Sequence, residues 1–358
     1  MSTTATSATI ADPLRHHGDT EARAATLDLA VNVIDDADLP RPRWLDDALR
    51  ASLDHLAAYP DPTRARAAAA AHHGRPVAEV LLTAGAAEAF TLVARMRAWR
   101  RPAVIHPQFT EPHAALEAAG HRVTTVLLRP PFTLGAGAAV PEDADLVVVG
   151  NPTNPTGVLH ARADLLALRR PGRLLVVDEA FMDAVPGEPA SLADTPAGLL
   201  HDLDPGGDVV VLRSLTKHWG IPGVRAGYLV GSAGVVHELG RVQTPWSVAT
   251  TAAAAVEACC TPTARAEAHR RAVIVEERRA HLERGLADLG VPAHPSCASF
   301  VLARPGRGVH ARLRQQGVAV RRADTFPGLD DSWIRIAVRS PEVTDRFLVA
   351  LRAALAAP

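Results

Sequence analysis

The chain of 358 residues holds 38 Lys plus Arg, and Lys217 is the one lysine among them. Arginine supplies charge and forked hydrogen bonds, but it keeps its proton near neutral pH and cannot act as a nucleophilic amine. Lysine can, once its pKa is lowered or once it has condensed with an aldehyde as a Schiff base. Its surroundings read V-V-V-L-R-S-L-T-K-H-W-G-I-P-G-V-R-A-G-Y-L-V over 209–230. Ser214 and Thr216 offer hydroxyls able to hold a phosphate, and Arg225 follows eight residues after the lysine. A carboxylate, Asp178, ends the apolar run Leu174-Leu175-Val176-Val177. A carboxylate at the mouth of a buried strand is costly unless a cation pairs with it.

The elements that must carry these groups follow from periodicity. Val209-Val210-Val211-Leu212, Val147-Val148-Val149 and Leu174 to Val177 are short apolar runs of the kind that form buried parallel strands. Gly220, Pro222 and Gly223 break regular structure after the lysine, and Ala226 to Val230 resumes as a strand. Residues 80–83 form a strand that runs through Ala84-Gly85-Ala86-Ala87-Glu88 into a helix over 89–97. A glycine turn opening a helix presents unpaired N–H groups and the positive end of the helix dipole, which suits a phosphate. Strand–helix alternation over 80–230 implies a mainly parallel sheet with covered faces and ligand groups at strand ends. Upstream, 27–33 reads as a short strand ending at Asn32, and 43–56 has helical periodicity. Tyr59 lies in a Tyr-Pro-Asp-Pro turn. Downstream come an Ala-rich segment at 249–260, a long helix over 264–289, and strands over 299–302, 318–321 and 333–339 of a smaller α+β domain. Arg321, Arg335 and Arg339 alternate with apolar residues there, a pattern that suits an anionic substrate. The resulting domain division is an arm over 1–36 packing with the small domain, a large domain over 37–243, and a small one over 244–358.

Composition bounds the rest. A net charge of −1 leaves no footprint for nucleic acid or an anionic membrane, and no apolar run approaches the ~18 residues of a membrane span. Three cysteines, Cys259 and Cys260 adjacent, suit a reducing compartment, so a cytoplasmic location is expected. Residues 1–11 do not read as a secretory signal, and the paired histidines His16-His17 lack ligand-spaced partners, so no metal is expected.

Ser214-Leu215-Thr216-Lys217, Gly223-Val224-Arg225-Ala226-Gly227-Tyr228, Asn151-Pro152-Thr153-Asn154-Pro155-Thr156-Gly157 and Asp178-Glu179-Ala180-Phe181 together resemble the fold-type I pyridoxal-phosphate enzymes of the class I/II aminotransferase family. Over 16–339 the chain is similar to their histidinol-phosphate aminotransferase branch. Within that branch the threonine-phosphate decarboxylases of cobalamin biosynthesis are the nearer likeness. His16-His17-Gly18-Asp19, Thr244-Pro245-Trp246-Ser247-Val248, Phe326-Pro327-Gly328-Leu329-Asp330 and Arg335-Ile336-Ala337-Val338-Arg339-Ser340 carry it. Aminotransferases of the branch usually have tyrosine where Phe181 stands. His17 and Asp19 stand where the decarboxylases typically have glycine and asparagine, and Ala86-Ala87 replace a hydroxyl or acidic pair.

The resemblance implies a large domain with a mainly parallel seven-stranded sheet, a smaller α+β domain, and pyridoxal 5'-phosphate as cofactor. It implies that Lys217 carries the cofactor and reprotonates Cα, that Asp178 pairs the pyridine nitrogen, and that Asn154 meets the phenolic oxygen. Phe109 and Phe181 would flank the ring, while Gly85, Ala86, Ala87, Ser214, Thr216 and Arg225 hold the phosphate. Tyr59 would reach the neighbouring site of a homodimer. His16, Asn32, Asn154, Arg321, Arg335 and Arg339 become the substrate set for a phosphorylated amino acid, with Arg335 on its carboxylate. The implied reaction is decarboxylation of L-threonine O-3-phosphate. The competing expectation is transamination of histidinol phosphate or an aromatic amino acid.

Overall fold

Seven strands form the main sheet of the computed structural model, which describes residues 12–34, 37–135, 138–195 and 206–357. They are β2 (Val80–Thr83), β3 (Pro102–His106), β4 (Thr124–Leu127), β5 (Leu146–Gly150), β6 (Leu174–Asp178), β7 (Asp208–Ser214) and β8 (Gly227–Val230). Their spatial order is β2-β8-β7-β6-β5-β3-β4. All neighbours from β4 to β7 run parallel, and β8 lies antiparallel between β7 and β2. Every residue of β3, β5 and β6 is buried. Successive side chains alternate between faces: Val147, Val149, Leu175, Val177, Val209 and Val211 pack into one core, and Val148, Val176, Val210 and Leu212 into another. The near-continuous valine runs are what burial on both faces of a parallel sheet requires.

A second sheet is built from β1 (Leu27–Leu29), β9 (Phe300–Ala303), β10 (Val318–Arg322) and β11 (Ile334–Ala337), in the order β1-β10-β11-β9. β1 runs parallel to β10, Leu27 opposite Val318, and the remaining pairs are antiparallel. The helices Pro262–Asp288 and Pro341–Ala356 cover this sheet. Thr261 and Ser340 cap their N-termini, accepting from the Ala264 and Val343 N–H groups.

Two boundaries differ from the sequence expectation. The first strand stops at Leu29 rather than running on to Asn32, because Asp28 Oδ1 accepts from the N–H groups of Ala30 (2.7 Å) and Val31 (3.1 Å). That side-chain turn takes the backbone out of the sheet. The Ala-rich segment, expected in the small domain, forms the helix Thr250–Cys259. Its Ala252, Ala255 and Val256 share the core of Val80, Leu82 and Tyr228. Small side chains let it lie close against the helices Arg43–Ser52 and Thr63–His72. The arm expectation for 1–11 falls outside the described residues. Among the described residues no helix is long and apolar enough to cross a membrane.

Candidate active site

The ends of three central strands lie side by side. Gly150 of β5 is in register with Asp178 of β6, and Asp178 with Leu212 of β7. The Asn151 N–H donates to the Asp178 carbonyl (2.8 Å) and the Glu179 N–H to that of Leu212 (2.9 Å). This register brings the Asn-Pro loop, the carboxylate and the lysine turn to one edge. Beneath them the buried Arg213 guanidinium donates to Glu179 (3.1 Å), Glu188 (2.7 Å) and Asp183, tying the residue after Asp178 to the one before Ser214.

Lys217, Asp178, Ser214, Thr216, Arg225, Ala86, Ala87, Asn154, Phe109 and Phe181 all line one cavity of about 590 Å³. Burial, with Arg225 and Arg335 nearby, lowers the Lys217 amine to about 8, against the opposing pull of Asp19 and Asp178. Burial lifts Asp178 to about 6, opposed by the Ala180 N–H at 3.1 Å and by Lys217. Ser214 Oγ and Thr216 Oγ1 are 2.8 Å apart. Arg225 adopts a left-handed backbone (φ 61°), and its side chain donates to the carbonyls of Pro222 (2.9 Å) and Ala84 (3.4 Å). That guanidinium crosses directly over Gly85 (φ 78°), where a Cβ would stand 2.7 Å from Nη2. Glycine is required there for its left-handed backbone, and any larger residue would also push the Arg225 guanidinium aside.

The substrate end is set by arginines. Arg335 donates to Asn154 Oδ1 (2.7 Å) and the Ala30 carbonyl (2.5 Å). Asn32, its amide oxygen facing the guanidinium, accepts from Nη1 (3.0 Å) and Nε (3.3 Å). The Arg335 guanidinium lies 5.4 Å over the Phe300 ring, which meets Phe181 edge-on at 4.9 Å. Arg321 donates to the His16 carbonyl and Thr325 Oγ1 (2.6 Å each) and sits 4.8 Å over Phe326. Both guanidinia are buried and line the cavity, and no carboxylate of the described residues pairs with either within 4.0 Å.

Gly85, under the Arg225 guanidinium, is not itself on the cavity lining, and three more expected site residues are not brought to the cavity. His16 turns its ring to Glu21 (2.8 Å) and contributes only its carbonyl, to Arg321. Arg339 reaches the carbonyls of Asp28 (3.0 Å), Val31 (2.6 Å) and Val33 (3.0 Å), fixing the bend after β1. Tyr59 is 76% exposed and stacks on Trp246, itself 61% exposed, at 4.5 Å. Instead of His16, its neighbours His17 and Asp19 line the cavity, together with Glu111, Thr110 and Phe326. Nothing in the local sequence marks Glu111, because its partner His17 is 94 residues away.

The description "Aminotransferase class I and II" names the family model that matches residues 24–351. The chain belongs to that family. This family member is 48% identical over 330 residues to a histidinol-phosphate aminotransferase of Mycobacterium bovis, covering 91% of this chain and 87% of the relative. It is 32% identical over 341 residues to the threonine-phosphate decarboxylase of Salmonella typhimurium, covering 91% and 90%. A histidinol-phosphate aminotransferase from Sinorhizobium meliloti, solved in complex with pyridoxal 5'-phosphate, shares the fold with a TM-score of 0.76 and 20% identity, covering 90% of this chain and 89% of that one.

The cofactor of this family member is pyridoxal phosphate, and the residues present fit it. The amine of Lys217 is available for an aldehyde, and Asp178 is a buried carboxylate facing the cavity with no guanidinium paired to it among the described residues. The Gly85–Arg225 crossing leaves the hydroxyls of Ser214 and Thr216 and the N–H groups of the helix Ala86–Met96 open toward a phosphate.

Asp178 gives a pH signature. Its folded pKa is raised, so between its ordinary 3.8 and about 6 the folded, cofactor-free protein holds a proton that the unfolded chain releases. The stability this carries is full at low pH and is lost as pH rises through about 6. Asp178→Asn is therefore expected to stabilise the cofactor-free protein at pH 7, on the order of 2 kcal/mol, with the gain vanishing near pH 4. Thermal melts of both proteins from pH 4 to 7 check this, and a pH-independent difference would contradict it.

Proposed function

We propose that this protein is a pyridoxal-phosphate-dependent decarboxylase of L-threonine O-3-phosphate, releasing CO₂ and 1-aminopropan-2-ol phosphate as a step of cobalamin biosynthesis in the cytoplasm. One observation carries the reading. Arg335 and Arg321 are two buried guanidinia on the cavity that holds Lys217, and among the described residues neither has a carboxylate within 4.0 Å. Buried charge of one sign calls for the other, and an amino acid bearing both a carboxylate and a phosphate supplies it twice. Histidinol phosphate supplies it once, and transamination would supply it twice only through the dicarboxylate co-substrate. The Salmonella relative and Phe181, which removes a hydroxyl from beside the cofactor, agree with this choice.

When bound, pyridoxal phosphate supplies an electron sink for the bond broken at the substrate's Cα. Asp178 would hold a proton at the ring nitrogen. Asn154, whose Oδ1 is taken by Arg335, would offer its NH₂ group to the phenolic oxygen. Arg335 and Asn32 orient the carboxylate and so select which Cα bond is broken, while Arg321 takes the phosphate. Lys217 delivers the proton to Cα after CO₂ departs. Phe109, Phe181 and Phe326 keep water from the reacting carbon. We extend the proposal to a homodimer in which Tyr59, exposed beside Trp246, serves the neighbouring site.

The 48% identity to a protein named histidinol-phosphate aminotransferase favours a second reading, transamination with the same cofactor residues. Incubating holoenzyme with O-phospho-L-threonine and no keto acid distinguishes them. Sustained CO₂ and amine phosphate by mass spectrometry, absent in Lys217→Ala, is the expected result. Turnover of histidinol phosphate only when 2-oxoglutarate is supplied would replace the decarboxylase by the aminotransferase.

A further inference from the structure

The segment after Asp12 is tied on one side to the start of the helix Glu111–Ala118 and on the other to β10, and its His17, Gly18 and Asp19 line the cavity. On the large-domain side Thr110 Oγ1 donates to the Leu14 carbonyl (2.5 Å), Arg15 Nη1 reaches Glu111 Oε2 (3.4 Å), and His17 Nε2 lies 2.6 Å from Glu111 Oε1. On the small-domain side Arg321 holds the His16 carbonyl. Gly18 then passes so close to Ala30 that a Cβ would fall 2.4 Å from its carbonyl oxygen. The backbone on both sides of His17 is thus fixed, and its ring packs 5.6 Å from that of Phe109. His17 lines the same cavity as Lys217 and Arg321, and among the described residues its Nδ1 has no hydrogen-bond partner. Glu111 is held below the usual carboxylate range by the His17 hydrogen bond, with Arg15 adding to it, so it stays ionised as the fixed end of the pair.

We propose that His17, oriented by Glu111, is a specificity-determining residue that recognises the phosphate of the substrate. A phosphate brought to Nδ1 completes a line of carboxylate, imidazolium and phosphate in which both ring nitrogens donate. Arg321 faces the same space from the other domain, so the phosphate is gripped from two sides. Arg15 and Arg321 bring guanidinia to that region while Glu111 and Asp19 bring carboxylates, so recognition there rests on the directed donors of His17 and Arg321 and not on net charge. Glu111 acts through His17 and is a positioning residue. The inference rests on the phosphorylated-substrate reading given above.

Binding is read from the change in visible absorbance of the holoenzyme on titration with four amines: O-phospho-L-threonine, L-threonine, L-histidinol phosphate and L-histidinol. The measured quantity is the preference for each phosphate ester over its parent. His17→Ala and His17→Gln are expected to reduce that preference about tenfold or more, the loss of one charge-assisted hydrogen bond, and to leave binding of the parent amines unchanged. Glu111→Gln should reduce it by a smaller factor in the same direction. Equal weakening of ester and parent would overturn the inference and make His17 a support for Phe109 alone. An unaltered preference would overturn it as well, with the phosphorylated-substrate reading intact. A wild-type protein that prefers neither ester removes the substrate reading and this inference together. A His17-dependent preference seen only for histidinol phosphate keeps the inference and removes the decarboxylase.

Discussion

Replacing Lys217 by alanine is expected to lower turnover by about 10⁴-fold or more, since it deletes both the group that carries the cofactor and the acid that protonates Cα. The visible absorbance of a lysine-bound cofactor should vanish with it, while the fold is retained. The chain has no second lysine to substitute. Arginine cannot rescue, because a guanidinium keeps its proton. The cavity adds a pH signature to this result. Burial, Arg225 and Arg335 bring the amine to about 8, so its neutral fraction rises through that pH and not near 10.5. Reconstitution of the wild-type protein with pyridoxal phosphate should therefore accelerate with a midpoint near pH 8, followed by stopped-flow absorbance. A midpoint two units higher would mean that the amine is solvated rather than enclosed.

Arg335→Leu is the second large effect. The guanidinium is buried, and its partners are the neutral oxygens of Asn154, Ala30 and Asn32. Binding of a carboxylate there gains a charge-assisted pair in a desolvated site, and truncating one partner of such a pair costs about 2–5 kcal/mol. KM for an amino-acid substrate should rise by about 10²–10³-fold. An amine without a carboxylate, such as histidinol phosphate, should be affected far less. Arg335→Lys should not restore the loss, because an ammonium cannot reproduce the fork that reaches Asn154 and the substrate together. Leucine also frees Asn154 Oδ1, so a shift in the cofactor's absorbance maximum should accompany the change in KM. Steady-state kinetics with and without the carboxylate on the substrate checks this. Equal losses for both substrates would show that Arg335 supports the loop rather than the ligand.

The contrast between His16 and His17 shows where sequence reading ran out. Both follow from the same motif, and both are histidines beside the site. Which ring enters the cavity depends on the backbone direction between Leu14 and Gly18, set by Thr110 and Glu111 on one side and by Arg321 on the other. None of these partners is within 90 residues of the motif. Arg339 failed for a related reason. In a strand alternating with apolar residues it looks equivalent to Arg335, but β1 ends early at the Asp28 turn. The carbonyls exposed by that bend, those of Asp28, Val31 and Val33, take the guanidinium. The helix Thr250–Cys259 follows the expected domain boundary at 244 yet packs in the core of Val80, Leu82 and Tyr228, since an Ala-rich surface fits either core and only packing chooses.

What the sequence determined by itself was the chemistry of the cofactor end. A lone lysine, a carboxylate at a strand end, hydroxyls beside the lysine and a glycine turn at a helix start are local features. A parallel sheet delivers strand ends to one edge whatever lies between them. At the substrate end Asn32, Asn154, Arg321 and Arg335 were legible in the sequence and do line the cavity, whereas His17 and Glu111 were chosen by tertiary structure. Arg321 and Arg335 come from the four-stranded sheet, Asn32 from the bend after β1, Glu111 from the helix Glu111–Ala118, and His17 from the segment before β1. Their convergence depends on long-range register and on competition for backbone carbonyls, neither of which is encoded in the spacing of any one stretch of chain.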